Sequence, residues 1–328
     1  MGPLGTPCPV TVQYLQSSWE RRTTAPGVGP TLVVCATEPA PYQMASARST
    51  LATVHVAEQR LLRAAAVSLV LLVVAIVGLV VDDRIITAMP AWLKPAKFSA
   101  SAAVYLFTMA YMVRDLPRSR TLTICTTMIG WILVLEIAVI AVQAARGRTS
   151  HFNIDTPLDA TLFSAMGVGI GVLWVLSAIV LVLHCRTRAP DRAMAIALRL
   201  GLALNIVAAG VGWTMTQPRP AQLDAMRRNE RPFIAGSHTI GAPDGGAGLP
   251  GVYWSRDHGD LRVPHFLGMH AWQLLPLLLL GIRKVRTRRD DATEQAAIVI
   301  AAIICAAIFL ATFLQAIAGY PLFPTSAP

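Results

Sequence analysis

The sequence predicts an all-α fold, a polytopic transmembrane helix bundle of about seven helices, with the N-terminus cytoplasmic and the C-terminus outside. Three observations carry that expectation. Of 328 residues, 54% are apolar and only 14% charged, whereas a soluble domain carries about a quarter charged residues. Leu61 to Val81 is apolar apart from Arg63 and Ser68, long enough to cross roughly 30 Å of hydrocarbon. The basic residues fall in short clusters between such runs, the pattern that orients membrane helices. The net charge of +10 therefore points to the lipid bilayer as partner and not to nucleic acid.

Residues 1–55 differ from the rest of the chain. The opening "MGPLGTPCPVTVQYLQSSWERRTTAPGVGP" is rich in Pro, Gly and Thr without a sustained period, so a disordered N-terminal extension is expected. It lacks a basic segment leading into an apolar core, so no secretory signal is read there. Met44, opening "MASARST", is the expected true start.

Residues 56–328 are expected to form the membrane domain. Its spans run roughly over 60–82, 97–114, 121–144, 157–185, 192–215, 264–283 and 294–318, each bounded by charged or turn-forming residues. The fourth has an explicit start: Thr156 at N-cap, Pro157 at N1 and Asp159 at N3. It also carries Gly167 and Gly171, a spacing that permits close helix approach. Orientation follows from the short loops. Arg114, Arg118, Arg120, Arg186, Arg188, Arg192, Arg283, Lys284, Arg286, Arg288 and Arg289 lie on one side, against Arg84, Lys94, Lys97, Arg146 and Arg148 on the other. The richer side is predicted to be cytoplasmic, which makes 216–263 a long outer loop. The five cysteines, Cys8, Cys35, Cys125, Cys185 and Cys305, lack metal-binding spacing and are expected to be free thiols. Trp92, Trp213, Trp254 and Trp272 are expected to form an interfacial belt.

In that orientation His151, His238, His258, His265 and His270 gather on the outer side. His265 and His270 are five residues apart and point roughly 140° away from each other on a helix, so they cannot grip one ion from one face. Glu136 lies inside the third span, where a carboxylate must face the bundle interior and find a partner. Counted from the outer helix ends, Glu136 and His270 sit roughly 12 and 9 Å deep, so they could meet. The expected site is a polar centre of Glu136, Gln143, Asn205, His270, Gln273 and Gln315 in the outer half of the bundle. Thr214 lines the same half.

Imidazoles suit haem iron or a transition metal, and His151, His238, His265 and His270 are the candidate ligands. No HExxH or Cys/His zinc module accompanies them. Two other readings stand beside ligand binding: a proton-coupled transporter using Glu136 and His270, and a non-catalytic membrane scaffold or assembly factor whose polar groups pin helices together. No nucleophile elbow or phosphate loop appears, so an enzyme is the less favoured class.

The stretches "RGRTSHFN" and "GSHTIGAPDGGAGLPGVYWSRDHGDLRVPHFLGMHAWQ" resemble a group of multi-pass bacterial membrane proteins that carry no assigned activity. The resemblance implies a multi-pass protein of the bacterial cytoplasmic (inner) membrane and no catalytic residues.

Overall fold

The computed structural model describes residues 56–286 and 290–323. The extension expected over 1–55 and the start at Met44 lie outside them, as do Cys8 and Cys35. The helices are α1 (Val56–Val81), α2 (Leu93–Val113), α3 (Arg120–Ala145), α4 (Pro157–Arg186), α5 (Arg192–Met215), α6 (Pro220–Arg227), α7 (Arg262–Val285) and α8 (Asp291–Ile317). Seven helices among the described residues are long and apolar enough to cross a membrane. Short ladders pair β1 (Ile85–Ile86) with β2 (Met89–Pro90), and β3 (Thr239–Ile240) with β4 (Gly259–Asp260).

Start signals act where the residue types place them. Ser119, Thr156, Asp191 and Asp290 each accept a backbone N–H at the head of α3, α4, α5 and α8. Each satisfies a donor that the first turn cannot pair internally. Helix α2 begins at Leu93 and not 97, because Pro95 sits in its first turn, where the missing N–H costs nothing. The predicted loop 216–263 contains a helix of its own, α6, opened by Pro220.

Alternate helix ends gather at one end of the bundle, here the loop end. It holds the α1–α2 hairpin, the α3–α4 turn, the 216–261 segment and the tail after α8. Apolar burial gives little drive between helices in lipid, so close packing and small residues matter more. A Cβ added at Gly201 would lie 2.6 Å from Trp272 Cα, and one at Gly268 would lie 2.4 Å from Ala208 Cβ. These contacts bring α5 and α7 together. Gly167, by contrast, has nothing within 4 Å of its added Cβ, and the Cβ of Gly171 would meet only the Trp213 ring at 3.3 Å. The spacing in α4 is therefore not a close crossing. Trp272 is also not interfacial. It is wholly buried among Leu106, Met109, Leu202 and Leu275, edge-on to Tyr105, because α7 turns this face toward α2 and α5.

Polar clasps fix both ends. At the far end Arg283 of α7 binds Asp191 with two nitrogens (2.6 and 2.9 Å) and reaches Glu294 of α8 at 2.6 and 2.8 Å. At the loop end Arg84 donates to the Ala144 and Ala145 carbonyls at the C-terminus of α3, where a cation complements the helix dipole. Cys125, Cys185 and Cys305 are free.

Candidate functional site

Glu136 is the starting point. It occupies the buried face of α3 and is 5% exposed, yet its Oε1 has no hydrogen-bond partner. A buried carboxylate oxygen without a donor costs stability, so it marks either a strained core or a site. Its nearest titratable neighbour is His151, with Nε2 at 3.6 Å from Oε1. That distance is just beyond a hydrogen bond.

His151 reaches Glu136 because the α3–α4 turn folds inward. Arg148 N bonds back to the Gln143 carbonyl, and Phe152 takes a left-handed backbone, φ 66°, which is rare outside glycine. Phe152 is itself buried. The imidazole stands among three phenyl rings, Phe98 at 5.7 Å, Phe152 at 6.2 Å and Phe163 at 6.4 Å between centroids. Its Nδ1 is 3.1 Å from Ser150 Oγ. Its side chain is 22% exposed, against 5% for Glu136, so water reaches the imidazole more readily than the carboxylate. Burial and the positive field of Lys94 and of His238 hold the His151 pKa well below its ordinary value, so the ring is neutral near pH 7.

Phe152 links this pair to the 216–261 segment. Its ring packs on His238 at 4.9 Å, its carbonyl accepts Ala235 N at 2.7 Å, and Gly236 leaves room for it. His238 is fixed by Asp244, which accepts from Nδ1 at 2.8 Å and from the amides of His238 and Thr239. Burial opposes ionisation of Asp244, but those donors outweigh it and hold the carboxyl far below the usual range. Burial also lowers the His238 pKa, against the opposing pull of Asp244. An ionised carboxylate can only accept, so Nδ1 of His238 carries the proton. His265 follows the same rule, with Nδ1 donating to the Ala208 carbonyl at 2.8 Å. In the neutral form of either ring Nε2 is left as a lone pair.

Lys94 in the first turn of α2 completes the centre. Its charge acts on Glu136, His151 and His238. Its ammonium lies 5.8 Å from the Phe98 centroid and has no hydrogen bond or ion pair among the described residues.

The other expected site residues are engaged elsewhere. Gln143 donates at 2.9 Å to Asp159, a wholly buried carboxylate that also binds Arg146 and Thr156 and ties α3 to the head of α4. Asn205 of α5 donates to the Met269 carbonyl of α7 at 2.9 Å. Gln315 donates to the Pro321 carbonyl at 2.6 Å and turns the tail after α8. Thr214 bonds its own helix at the Val211 carbonyl. Gln273 donates to Thr108 of α2 at 3.3 Å. His270 packs at a tilt against Phe266, 4.4 Å between ring centroids. Within 4.0 Å of the Glu136 carboxylate the structure places His151, and not His270, among the described residues. Among the described residues no three His, Cys, Asp or Glu side chains converge closely enough to hold a metal ion.

In the sequence Lys94 stands only as a topology charge, and Phe98 carries no signal of its own. The α3–α4 turn and the 216–261 segment meet here, through Phe152 and His238. No protein-family model, no curated protein and no solved structure matches the chain.

Proposed function

We propose that the protein is a proton-coupled membrane carrier whose working centre is Glu136 with His151. One observation carries the reading: a buried carboxylate oxygen without a donor, 3.6 Å from an imidazole that is itself reachable from water. Ionisable groups placed within membrane spans are costly and mark ion or substrate pathways. His151 takes the relay role that sequence reasoning assigns to His270.

A neutral imidazole is suited to the task because one nitrogen accepts while the other donates. With His151 protonated on Nδ1, a closure of roughly 0.6 Å brings Nε2 into hydrogen-bond range of Glu136. The carboxyl O–H bond then breaks and its proton forms the Nε2–H bond. The Nδ1 proton leaves toward the aqueous side, with Ser150 Oγ the first acceptor in reach. The reverse sequence reloads Glu136. Lys94 stabilises the carboxylate left behind, and the three phenyl rings hold the imidazole in line.

Haem or metal ligation has less support. His238 and His265 present free Nε2 lone pairs, as orienting hydrogen bonds commonly do for ligand histidines, but the donor set does not converge among the described residues.

Infrared difference spectroscopy on reconstituted protein tests the centre. A protonated-carboxyl band should titrate with external pH and be absent in Glu136→Gln. Its hydrogen–deuterium exchange should slow by at least about tenfold in His151→Phe, which keeps the aromatic packing. Unchanged exchange in that variant removes the relay. A wild-type spectrum with no titrating Glu136 band removes the centre.

A further inference from the structure

We propose that Lys94 is the anchoring group for a small organic monocarboxylate bound at the Glu136–His151 centre, which names the solute class for the proton-coupled carrier and rests on that reading. The geometry of the charges points there. At the loop end Arg262 is held by Asp260 at 2.6 Å and by the Tyr253 carbonyl at 2.6 Å. Lys97 is held by the Val252 carbonyl at 2.9 Å. His238 is tied to Asp244 at 2.8 Å. Lys94 alone of this group is left without a direct partner, although it lies within electrostatic reach of Glu136, Asp244, His151 and His238.

An ammonium in a partly dehydrated site is favourable only with an acceptor against it. Glu136 does not fill that role, since it makes no ion pair with Lys94 within 4.0 Å among the described residues and its Oε1 stays unpartnered. Both groups therefore lack a partner in the same centre. A solute carboxylate would satisfy Lys94, and a shared proton would satisfy Glu136 Oε1.

The charge supply selects the class. Among the described residues Lys94 is the one cation whose charge acts on both Glu136 and His151, and a single cation at the centre matches a monoanion. A phosphate dianion needs more donors than the single ammonium at this centre offers. The apolar surroundings select further. Phe98 is 36% exposed beside Lys94, and Phe152 and Phe163 extend the aromatic wall behind His151. Such a wall favours a carboxylate carrying an aromatic or aliphatic body over formate-sized anions. With the proton on Glu136, the anion and proton are neutral together, which removes the cost of carrying a charge into the bundle.

Isothermal titration of the detergent-purified full chain tests this with benzoate, acetate and inorganic phosphate as probes. Benzoate should bind more tightly than acetate, and phosphate should not displace it. Affinity should fall at least about tenfold in Lys94→Gln and survive in Lys94→Arg, because a charged hydrogen bond is lost only in the first. Phe98→Ala, at a partly exposed position, should narrow the benzoate-to-acetate ratio if Lys94→Gln does not fold. Absence of carboxylate binding to wild type overturns the assignment, as does equal affinity in a folded Lys94→Gln or tighter binding of phosphate. The two readings fail separately. Glu136 exchange through His151 without carboxylate binding refutes the solute and keeps the proton centre. Lys94-dependent binding without Glu136 exchange keeps the site and refutes the coupling.

Discussion

His151 Nε2 lies 3.6 Å from Glu136 Oε1, across the turn that joins α3 to α4. The pair sits in a wall of three phenyl rings, and the carboxylate oxygen has no other partner among the described residues. Such an arrangement is costly for the fold, and sites that hold unpaired polar groups are commonly places where stability has yielded to function.

Glu136→Gln should therefore not destabilise the protein. Replacing a buried, incompletely paired carboxylate with a neutral group of the same shape is expected to leave thermal stability in detergent unchanged or to raise it by about 1 kcal/mol. A melting temperature well below wild type would show that the carboxylate is a structural tie.

Asp159 offers the opposite case. It is wholly buried and accepts from Gln143, Arg146 and Thr156. Asp159→Ala removes the acceptor from all three and should cost about 2–4 kcal/mol, tempered because Arg146 can turn to water. Gln143→Ala should cost less, since Arg146 and Thr156 still hold the carboxylate. Chemical denaturation of the two variants side by side gives the comparison.

Acid should weaken the fold through the buried histidines. The pKa values of His151 and His238 lie below the ordinary 6.5 in the folded protein, so the unfolded chain binds protons more tightly. Their contribution is fully present above pH 6.5 and is lost as pH falls from there toward the folded values. The melting temperature should drop over that window, and His151→Gln should flatten the slope. A slope identical in that variant would remove His151 as a cause.

Glycine substitutions should separate close crossings from open positions. Gly201→Ala would push a methyl to 2.6 Å from the Trp272 backbone and should cost at least about 1–3 kcal/mol through overpacking. Gly167→Ala meets open space and should be neutral or stabilising by up to about 1 kcal/mol through helix propensity. Thermal melts of both variants check the contrast.

The Arg283 clasp should be the far end's main polar tie. Arg283→Ala leaves Glu294, 1% exposed, without its guanidinium and is expected to cost about 3 kcal/mol or more. Paired replacement, Arg283→Met with Glu294→Gln, should recover much of that loss. Failure to recover would mean the helix ends need the charges themselves.

The helices are legible in the sequence because each is a local property of the chain. Length and apolarity set the spans, and the Thr156–Pro157–Asp159 start works as the residue types require, with Thr156 Oγ1 accepting Asp159 N. The need for Glu136 to face inward is equally local, since any carboxylate at that depth must avoid lipid. What it meets is not local. Depth along α3 and α7 makes His270 a reasonable partner, but depth says nothing of which face α7 turns inward. Packing at Gly201 and Gly268 sets that face, burying Trp272 and leaving His270 against Phe266. His151 belongs to a loop, and a left-handed Phe152 folds that loop back into the bundle, a conformation that periodicity and composition do not encode. Residue order alone thus dictates a seven-span bundle with the mid-span carboxylate of Glu136 turned inward. Which imidazole, which lysine and which aromatic wall surround that carboxylate is settled in three dimensions, because those contacts depend on loop geometry and helix rotation set by packing across the whole bundle.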